Sequence, residues 1–364
     1  MKILHLYKDY YPVLGGIEGH IQTLAEAQAA AGHQVTVLVT NPGGQPGEEQ
    51  LNGVRVLRLP RLATVISTPL TLGFLPYLRK ESPQITHLHF PYPVAELSQL
   101  VAGRGRPYVF SYHSDIIRPR QQLFLRFYRP VLWRVLREAR RVLVASPSYL
   151  RTSPFLQVVA SKCVIVPYGI DPLPFVQASP GYARGKRPRL FFHGRHRYYK
   201  GVDVLLRAMT QINADLWIGG DGEMRGEWAE LAAELGLQDR VRFLGDIPRH
   251  ELPGVYASVN IFVLPSTLRA EAFGIVLPEA MAAGLPCVTT ELGTGTSFVV
   301  QDGLTGLVVP PGDPDVLARA LRRLLEDPEL RVRMGAEGRA RVIAEFTVEK
   351  MAQGVEAVYG RALR

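Results

Sequence analysis

Cysteine is scarce: Cys163 and Cys287 are the only two among 364 residues. Two thiols cannot build a disulfide framework or a cysteine-based zinc site, and their rarity suits a reduced, intracellular compartment. Lysine and asparagine are also thin, with seven Lys among the 42 cations and only four Asn. Acidic residues number 33, which leaves a surplus of +9. Such a surplus implies an anionic partner: a phosphate-bearing ligand, a membrane surface or nucleic acid. No helix-turn-helix, zinc finger or RNP-like aromatic motif accompanies the charge, so nucleic acid is set aside. Long apolar runs are missing as well. The opening MKILHLYKDYYP reads as a strand and not as a signal peptide, and the charge-free stretch Leu62–Leu78 is interrupted by Pro69, Gly73 and Pro76. The expected location is cytoplasmic, peripheral on the inner face of the cytoplasmic membrane.

What is present is a globular balance, 47% apolar and 21% charged, in a chain long enough for two α/β domains. Short β-branched apolar runs alternate with amphipathic stretches. Strands are expected at 2–7, 34–39, 54–59, 85–89, 107–112, 141–145 and 164–166, with helices near 17–31, 93–102, 121–138 and 148–153. Nearly continuous apolar runs are the mark of strands buried on both faces of a parallel sheet. Residues 167–188 then hold five Pro and three Gly in 22 positions, and read as an interdomain linker. Beyond them the alternation restarts with RLFFHG, ADLWIGG, VRFLG, NIFVLP and PCVTT, and ends in helices near 313–326, 328–344 and 347–363. No repeat of 20–50 residues is visible, which excludes a solenoid. The fold class is α/β, with two Rossmann-like doubly wound domains: residues 1–170, joined by a last helix at 346–364, and residues 171–345.

Three places invite chemistry. Gly15-Gly16 lie where the first strand turns into a helix, so backbone can approach an anion closely there. Arg195 and Lys200 follow RLFFHG at the carboxyl end of a strand, where doubly wound sheets bind ligands. In Glu271-Ala-Phe-Gly-Ile-Val-Leu-Pro-Glu279, Glu271 falls in a loop, the amides of Phe273, Gly274 and Ile275 lie near a helix start, and Glu279 sits about one turn in. Two carboxylates beside an anion site call for a ligand rich in hydroxyls, such as a sugar and a ribose. His113, in HSD after an apolar strand, is placed at the ligand edge of the first sheet. Asp313-Pro314-Asp315 has the D-x-D form of a metal site, but Asp313 reads as a helix N-cap with Pro at N1, and no metal is expected. Between Arg118 and Arg141 eight Arg face a single acid, Glu138, among Leu, Phe, Tyr128 and Trp133. This is a basic amphipathic helix suited to an anionic membrane, or else a solvated helix face.

EAFGIVLPE, GGIEGH, HGR with YKG, PYGID and GGDGE together resemble the GT-4 glycosyltransferases, retaining enzymes of the GT-B fold that use nucleotide-diphosphate sugars. HLHFPYP, SYHSD and TTELGTGTSFVVQDGLTG further resemble bacterial O-antigen and exopolysaccharide mannosyltransferases. The resemblance implies two domains facing each other across a cleft, the first receiving the acceptor and the second the donor. It places Gly16 at the diphosphate, His113 at the donor sugar near its 6-hydroxyl, and Arg195 and Lys200 on the diphosphate. Glu271 would meet the sugar's 3- or 4-hydroxyl and Glu279 the ribose. The implied partners are a nucleotide-sugar donor, GDP-mannose favoured over a UDP-sugar, and a glycan or lipid-linked acceptor. No cofactor is implied. This chain has Leu292-Gly293-Thr294-Gly295-Thr296 where many members carry a Gly-Gly-x-Pro-Glu-type segment. The alternatives are a NAD-type Rossmann oxidoreductase, suggested by Gly220-Asp221-Gly222 with Gly226, and an inactive sugar-nucleotide-binding homologue.

Overall fold

The computed structural model describes residues 1–364 apart from Leu14, Ile66, Ser67, Ile117, Arg118 and Arg184, and apart from the side chains of 119–125. Arg118 and the side chain of Arg120, both in the basic stretch, therefore lie outside the described residues. Two compact units emerge, one of Met1–Gly169 with Val348–Arg364, the other of Ile170–Thr347.

The first unit contains β1 (Lys2–Leu6), β2 (Gln34–Asn41), β3 (Gly47–Leu51), β4 (Val54–Pro60), β5 (Ala63–Val65), β6 (Thr68–Leu70), β7 (Ile85–Phe90), β8 (Tyr108–Tyr112), β9 (Arg141–Val144) and β10 (Cys163–Ile165). Eight of them form one sheet in the order β10-β9-β8-β7-β1-β2-β4-β3. Every residue of β7 and β8 is buried, as expected of central parallel strands covered on both faces. The helix Gly16–Ala30 and the last helix, Val348–Ala362, meet in this unit through Gln28 and Tyr359.

β3 was absent from the expected strands. It runs antiparallel to β4 at the sheet edge, and GEEQL is exposed along almost its whole length. Cross-strand ion pairs hold it, Arg55 to Glu48 at 2.7 Å and Arg58 to Glu49 at 2.6 Å, so no apolar alternation marks it. Within the charge-free stretch β5 and β6 pair antiparallel, and a helix begins that runs Phe74–Lys80 and buries Phe74 and Leu78. Among the described residues no helix is long and apolar enough to cross a membrane.

The second unit has one six-stranded parallel sheet in the order β13-β12-β11-β14-β15-β16, from β11 (Arg189–His193), β12 (Asp215–Gly219), β13 (Val241–Gly245), β14 (Ile261–Leu264), β15 (Cys287–Thr290) and β16 (Gly306–Val309). The proposed linker 167–188 needs correction. From Ile170 onward it is an integral part of this unit: Ile170 N–H donates to Phe346 O at 2.9 Å, Tyr182 packs edge-on against Trp217, and Gly181 N–H donates to Gly254 O at 3.0 Å. Gly181 and Gly254 lie backbone against backbone, with a Cβ built on either meeting its neighbour at an ordinary contact distance of 3.5 Å. Asp313 caps the helix Pro314–Glu326, its carboxylate accepting from the amides of Asp315 and Val316.

Candidate functional site

β11 and β14 are sheet neighbours, and residues just past their carboxyl ends meet in a buried polar cluster. After β11 the chain turns through a short 3-10 turn, Tyr198–Lys200, into Gly201. Gly201 has φ +67°, and a Cβ there would lie 2.1 Å from Pro265 O. Only glycine lets this turn close onto the segment after β14, where Thr267 N–H donates to Tyr199 O at 2.8 Å. The close approach brings Lys200 to Glu271. Gly201→Ala is expected to destabilise the unit by about 3 kcal/mol through the left-handed backbone and the clash combined. Urea unfolding measures this directly, and an unchanged midpoint would contradict the packing.

Lys200 Nζ lies 2.6 Å from Glu271 Oε2, and both residues are only 8% exposed. Ser266 Oγ–H donates to the same oxygen at 3.0 Å, while Thr294 Oγ1–H holds the Glu271 backbone carbonyl at 2.7 Å. Burial pushes the Lys200 ammonium down, but the Glu271 carboxylate and Tyr199 more than offset it, and the net direction is up. Lys200 is therefore a cation at neutral pH. Its one described bond leaves further ammonium protons, and among the described residues Glu271 Oε1 has no partner.

Glu279 lies in the short helix Val276–Ala282. Tyr256 O–H donates to Glu279 Oε2 at 3.2 Å. Burial raises the Glu279 carboxyl to about 7, against the lowering influence of Arg249 and Tyr256. Phe273 turns its ring into the core against Phe346, and Gly274, with φ +75°, fits where a Cβ would strike Leu264. Ile275 is the residue that precedes the helix. Arg195 is exposed in the loop after β11. In the first unit, Gly15 is constrained by the Glu18 side chain folded over it, whereas Gly16 has nothing within 4 Å of where a Cβ would be. No packing demand accounts for glycine at position 16, which leaves open space at the start of the helix.

His113 differs from expectation. It follows β8 as anticipated, but its ring is buried and both nitrogens are engaged, Nε2 with His89 Nδ1 at 2.9 Å and Nδ1 with the Tyr168 hydroxyl. A ligand that bonds Nδ1 of this ring takes the place of the Tyr168 hydroxyl. Sequence reasoning missed the neighbours His5, His20, His87 and His89, although the alternation His87-Leu88-His89 already places two imidazoles on one strand face. Ring nitrogens of His20, His89 and His113 lie within 4.8 Å of one another, as do those of His5, His87 and His89. Such trios could ligate a metal, but most of these nitrogens already hydrogen-bond to each other or to Gln28, Tyr359 and Ser111. Ser266 and Tyr256 were also missed, since nothing in their sequence neighbourhood marks them, and Thr294 was noted only as part of the segment 292–296.

The oxidoreductase alternative loses its main support here. A Cβ at Gly220 would lie 2.2 Å from Gly194 O and one at Gly222 2.6 Å from His196 O. These glycines seat one loop against another and do not open room for a pyrophosphate.

Two α/β units with parallel sheets, as in the GT-B fold, hold a buried Lys–Glu pair past β11 and β14 and a second carboxylate on the following helix. The family comparisons agree: residues 179–341 match the family "Glycosyl transferases group 1", and residues 14–172 match "Glycosyltransferase Family 4". The chain is 36% identical to the D-rhamnosyltransferase WbpZ of Pseudomonas aeruginosa over 355 residues, covering 95% of this chain and 92% of the relative. It is 32% identical to the O-antigen chain mannosyltransferase C of Escherichia coli, covering 99% and 98%. Sucrose-phosphate synthase from Thermosynechococcus elongatus has a similar structure, with a TM-score of 0.79, 27% identity and 98% of both chains covered. Anabaena HepE in complex with UDP-glucose shares the fold at a TM-score of 0.78 and 20% identity, covering 99% and 100%. The chain belongs to the group 1 and family 4 glycosyltransferases.

Proposed function

We propose that this enzyme is a retaining, metal-independent hexosyltransferase. It moves a hexose, mannose in preference, from a nucleotide-diphosphate sugar to a glycan, lipid-linked, in cell-surface polysaccharide synthesis. GDP-mannose is favoured over a UDP-sugar. The observation that carries the reading is the buried Lys200–Glu271 pair, a cation and an acceptor held together where sheet strands end. The names of the two relatives above support the hexose and the polysaccharide.

In this reading the donor divides the pair. Its diphosphate takes Lys200 and Arg195, with the backbone of Gly15, Gly16, Phe273, Gly274 and Ile275 close by. Glu271 accepts from a sugar hydroxyl, Glu279 accepts from the ribose, and His113 serves the donor sugar once Tyr168 gives way. Both glutamates are then committed to hydroxyls, so no carboxylate is left for double displacement. The acceptor hydroxyl attacks from the face the leaving group vacates, and its proton passes to the departing β-phosphate. Lys200 and Arg195 stabilise the charge on that phosphate, and the rest of the site contributes position. Incubation with GDP-mannose and a glycan acceptor in EDTA should release GDP and give a product with the donor's anomeric configuration. Inverted product, or turnover only with added divalent metal, would overturn this mechanism.

Glu279 supplies a pH test. A carboxylate accepts two ribose hydroxyls, whereas the protonated acid offers fewer acceptor sites. With the group held at about 7, affinity for the nucleotide sugar rises as pH climbs through neutrality. Tyr256→Phe removes a bond that favours the ionised form and shifts that midpoint upward. Calorimetric titration at pH 6, 7 and 8 reads both effects, and a flat profile would contradict the role.

The lipid-linked acceptor draws on the helix Pro119–Glu138. Phe127 is 76% exposed there, and Arg126, Arg134 and Arg137 are exposed beside it. Cosedimentation should show preference for anionic over zwitterionic vesicles and a loss of binding in Phe127→Ser. Equal binding to both lipids would remove the membrane from the account.

A further inference from the structure

The first unit contains a branched file of buried hydrogen bonds that begins at one amide. Along the first branch, Gln28 Oε1 meets His5 Nε2 at 2.7 Å, His5 Nδ1 meets His89 Nε2 at 2.9 Å, and His89 Nδ1 meets His113 Nε2 at 2.9 Å. His113 Nδ1 in turn meets the Tyr168 hydroxyl. Along the second, Gln28 Nε2–H donates to Tyr359 Oη at 3.2 Å, Tyr359 meets His87 Nδ1 at 2.7 Å, and His87 Nε2 meets Ser111 Oγ at 2.7 Å. Gln28, His5, His87, His89 and His113 are all at most 3% exposed.

Proton counting orders the file. Burial keeps each imidazole neutral, with one N–H and one bare nitrogen. The amide oxygen of Gln28 can only accept, so His5 donates from Nε2 and its Nδ1 is bare. His89 must then donate from Nε2 to His5, His113 from Nε2 to His89, and Tyr168 O–H into the bare Nδ1 of His113. On the second branch Tyr359 accepts from Gln28, passes its own proton to His87 Nδ1, and leaves His87 to donate from Nε2. Turning the amide end for end would reverse every bond on both branches together.

We propose that Gln28 is a positioning residue that fixes the tautomer of His113, a ring it does not touch, and thereby makes His113 Nδ1 a hydrogen-bond acceptor. The consequence deepens the functional reading above and rests on it: a sugar group that replaces the Tyr168 hydroxyl must donate a proton. Position His113 then selects a free hydroxyl and rejects a deoxy, fluoro or O-methyl group at the same carbon.

The first test needs no substrate. In full-length protein labelled with nitrogen-15 histidine at pH 7.5, long-range proton–nitrogen correlation separates protonated from bare ring nitrogens. His5, His87, His89 and His113 are expected to bear their proton on Nε2, and a proton on Nδ1 of any of the four would overturn the assignment. Tyr359→Phe removes one hydroxyl on the last helix and unties the far end of the amide. His113 is then expected to populate both tautomers, as it should in Gln28→Met, and a single unchanged tautomer in both variants would overturn the coupling. For recognition, donor analogues carrying fluorine at each sugar carbon in turn are compared by competition. One of them should bind at least tenfold more weakly in the wild type, with the penalty reduced in Gln28→Met. Equal binding of all analogues, alongside the expected ring states, would overturn the recognition alone.

Discussion

Between pH 6.5 and pH 5 the first unit should lose most of its stability while the second loses far less. His5 and His20 are held near 4 and 3 by burial, and His87, His89 and His113 well below the ordinary value for the same reason. In the unfolded chain these five imidazoles take up protons near 6.5, so below that pH the unfolded state binds more protons than the native one. Stability from neutral burial is thus complete above pH 6.5 and lost as pH falls. Glu96 acts in the opposite sense: buried and raised to about 8, it is already protonated in the native state, and it gives back one proton on unfolding. The net difference of about four protons corresponds to roughly 5 kcal/mol for each pH unit, comparable with the whole stability of a domain. In the second unit His193, held near 4, and His196, also lowered, are partly balanced by Glu279, raised to about 7. Calorimetry should show a single transition at pH 7.5 separating into two by pH 5.5, the earlier one lost when the first unit unfolds. Two units that weaken in parallel would show that the histidine file is more hydrated than its burial indicates.

Lys200→Ala should abolish transfer and also destabilise the protein, and the two losses can be separated. Removing one member of a buried pair leaves the other charge uncompensated, at a cost of about 3–5 kcal/mol. Among the described residues the Glu271 carboxylate in that variant retains only Ser266 as a partner. Replacing both, Lys200→Met with Glu271→Gln, removes the stranded charge and should recover most of the stability. Transfer should stay at least ~10³-fold down, because the cation proposed for the phosphate is gone and the acceptor proposed for the sugar hydroxyl has lost its charge. Lys200→Arg should not restore full transfer, since a planar guanidinium does not reproduce the compact ammonium that Glu271 holds at 2.6 Å. If the double variant regained both stability and turnover, the pair would be a structural feature of the loop and no part of the chemistry.

The parallel strands were legible because central strands buried on both faces must be apolar throughout, and runs such as NIFVLP leave few other readings. β3 was not legible, since its stability comes from ion pairs to β4 and GEEQL has no pattern until that partner is known. The segment 170–188 was misread because proline and glycine serve a flexible tether and a closely packed irregular covering equally well. Within the candidate site, Glu271 and Lys200 could each be found from local motifs. Their pairing could not, because 71 residues separate them and only the adjacency of β11 and β14 brings them together. The expectation that His113 faces a sugar was local in the same way. It overlooked Tyr168 and His89, which arrive from distant parts of the chain and occupy both ring nitrogens.

The central claim, that residues past β11 and β14 hold a nucleotide-diphosphate sugar, is tested most directly by thermal unfolding with GDP-mannose, UDP-glucose and their free nucleotides, each in EDTA. A ligand at 100 times its dissociation constant adds about 2.7 kcal/mol, a readily measured rise in melting temperature. The account predicts a rise with GDP-mannose that exceeds the rise with UDP-glucose and is lost in the stable Lys200→Met, Glu271→Gln double variant. A rise of equal size in that variant would place the donor elsewhere and contradict the assignment.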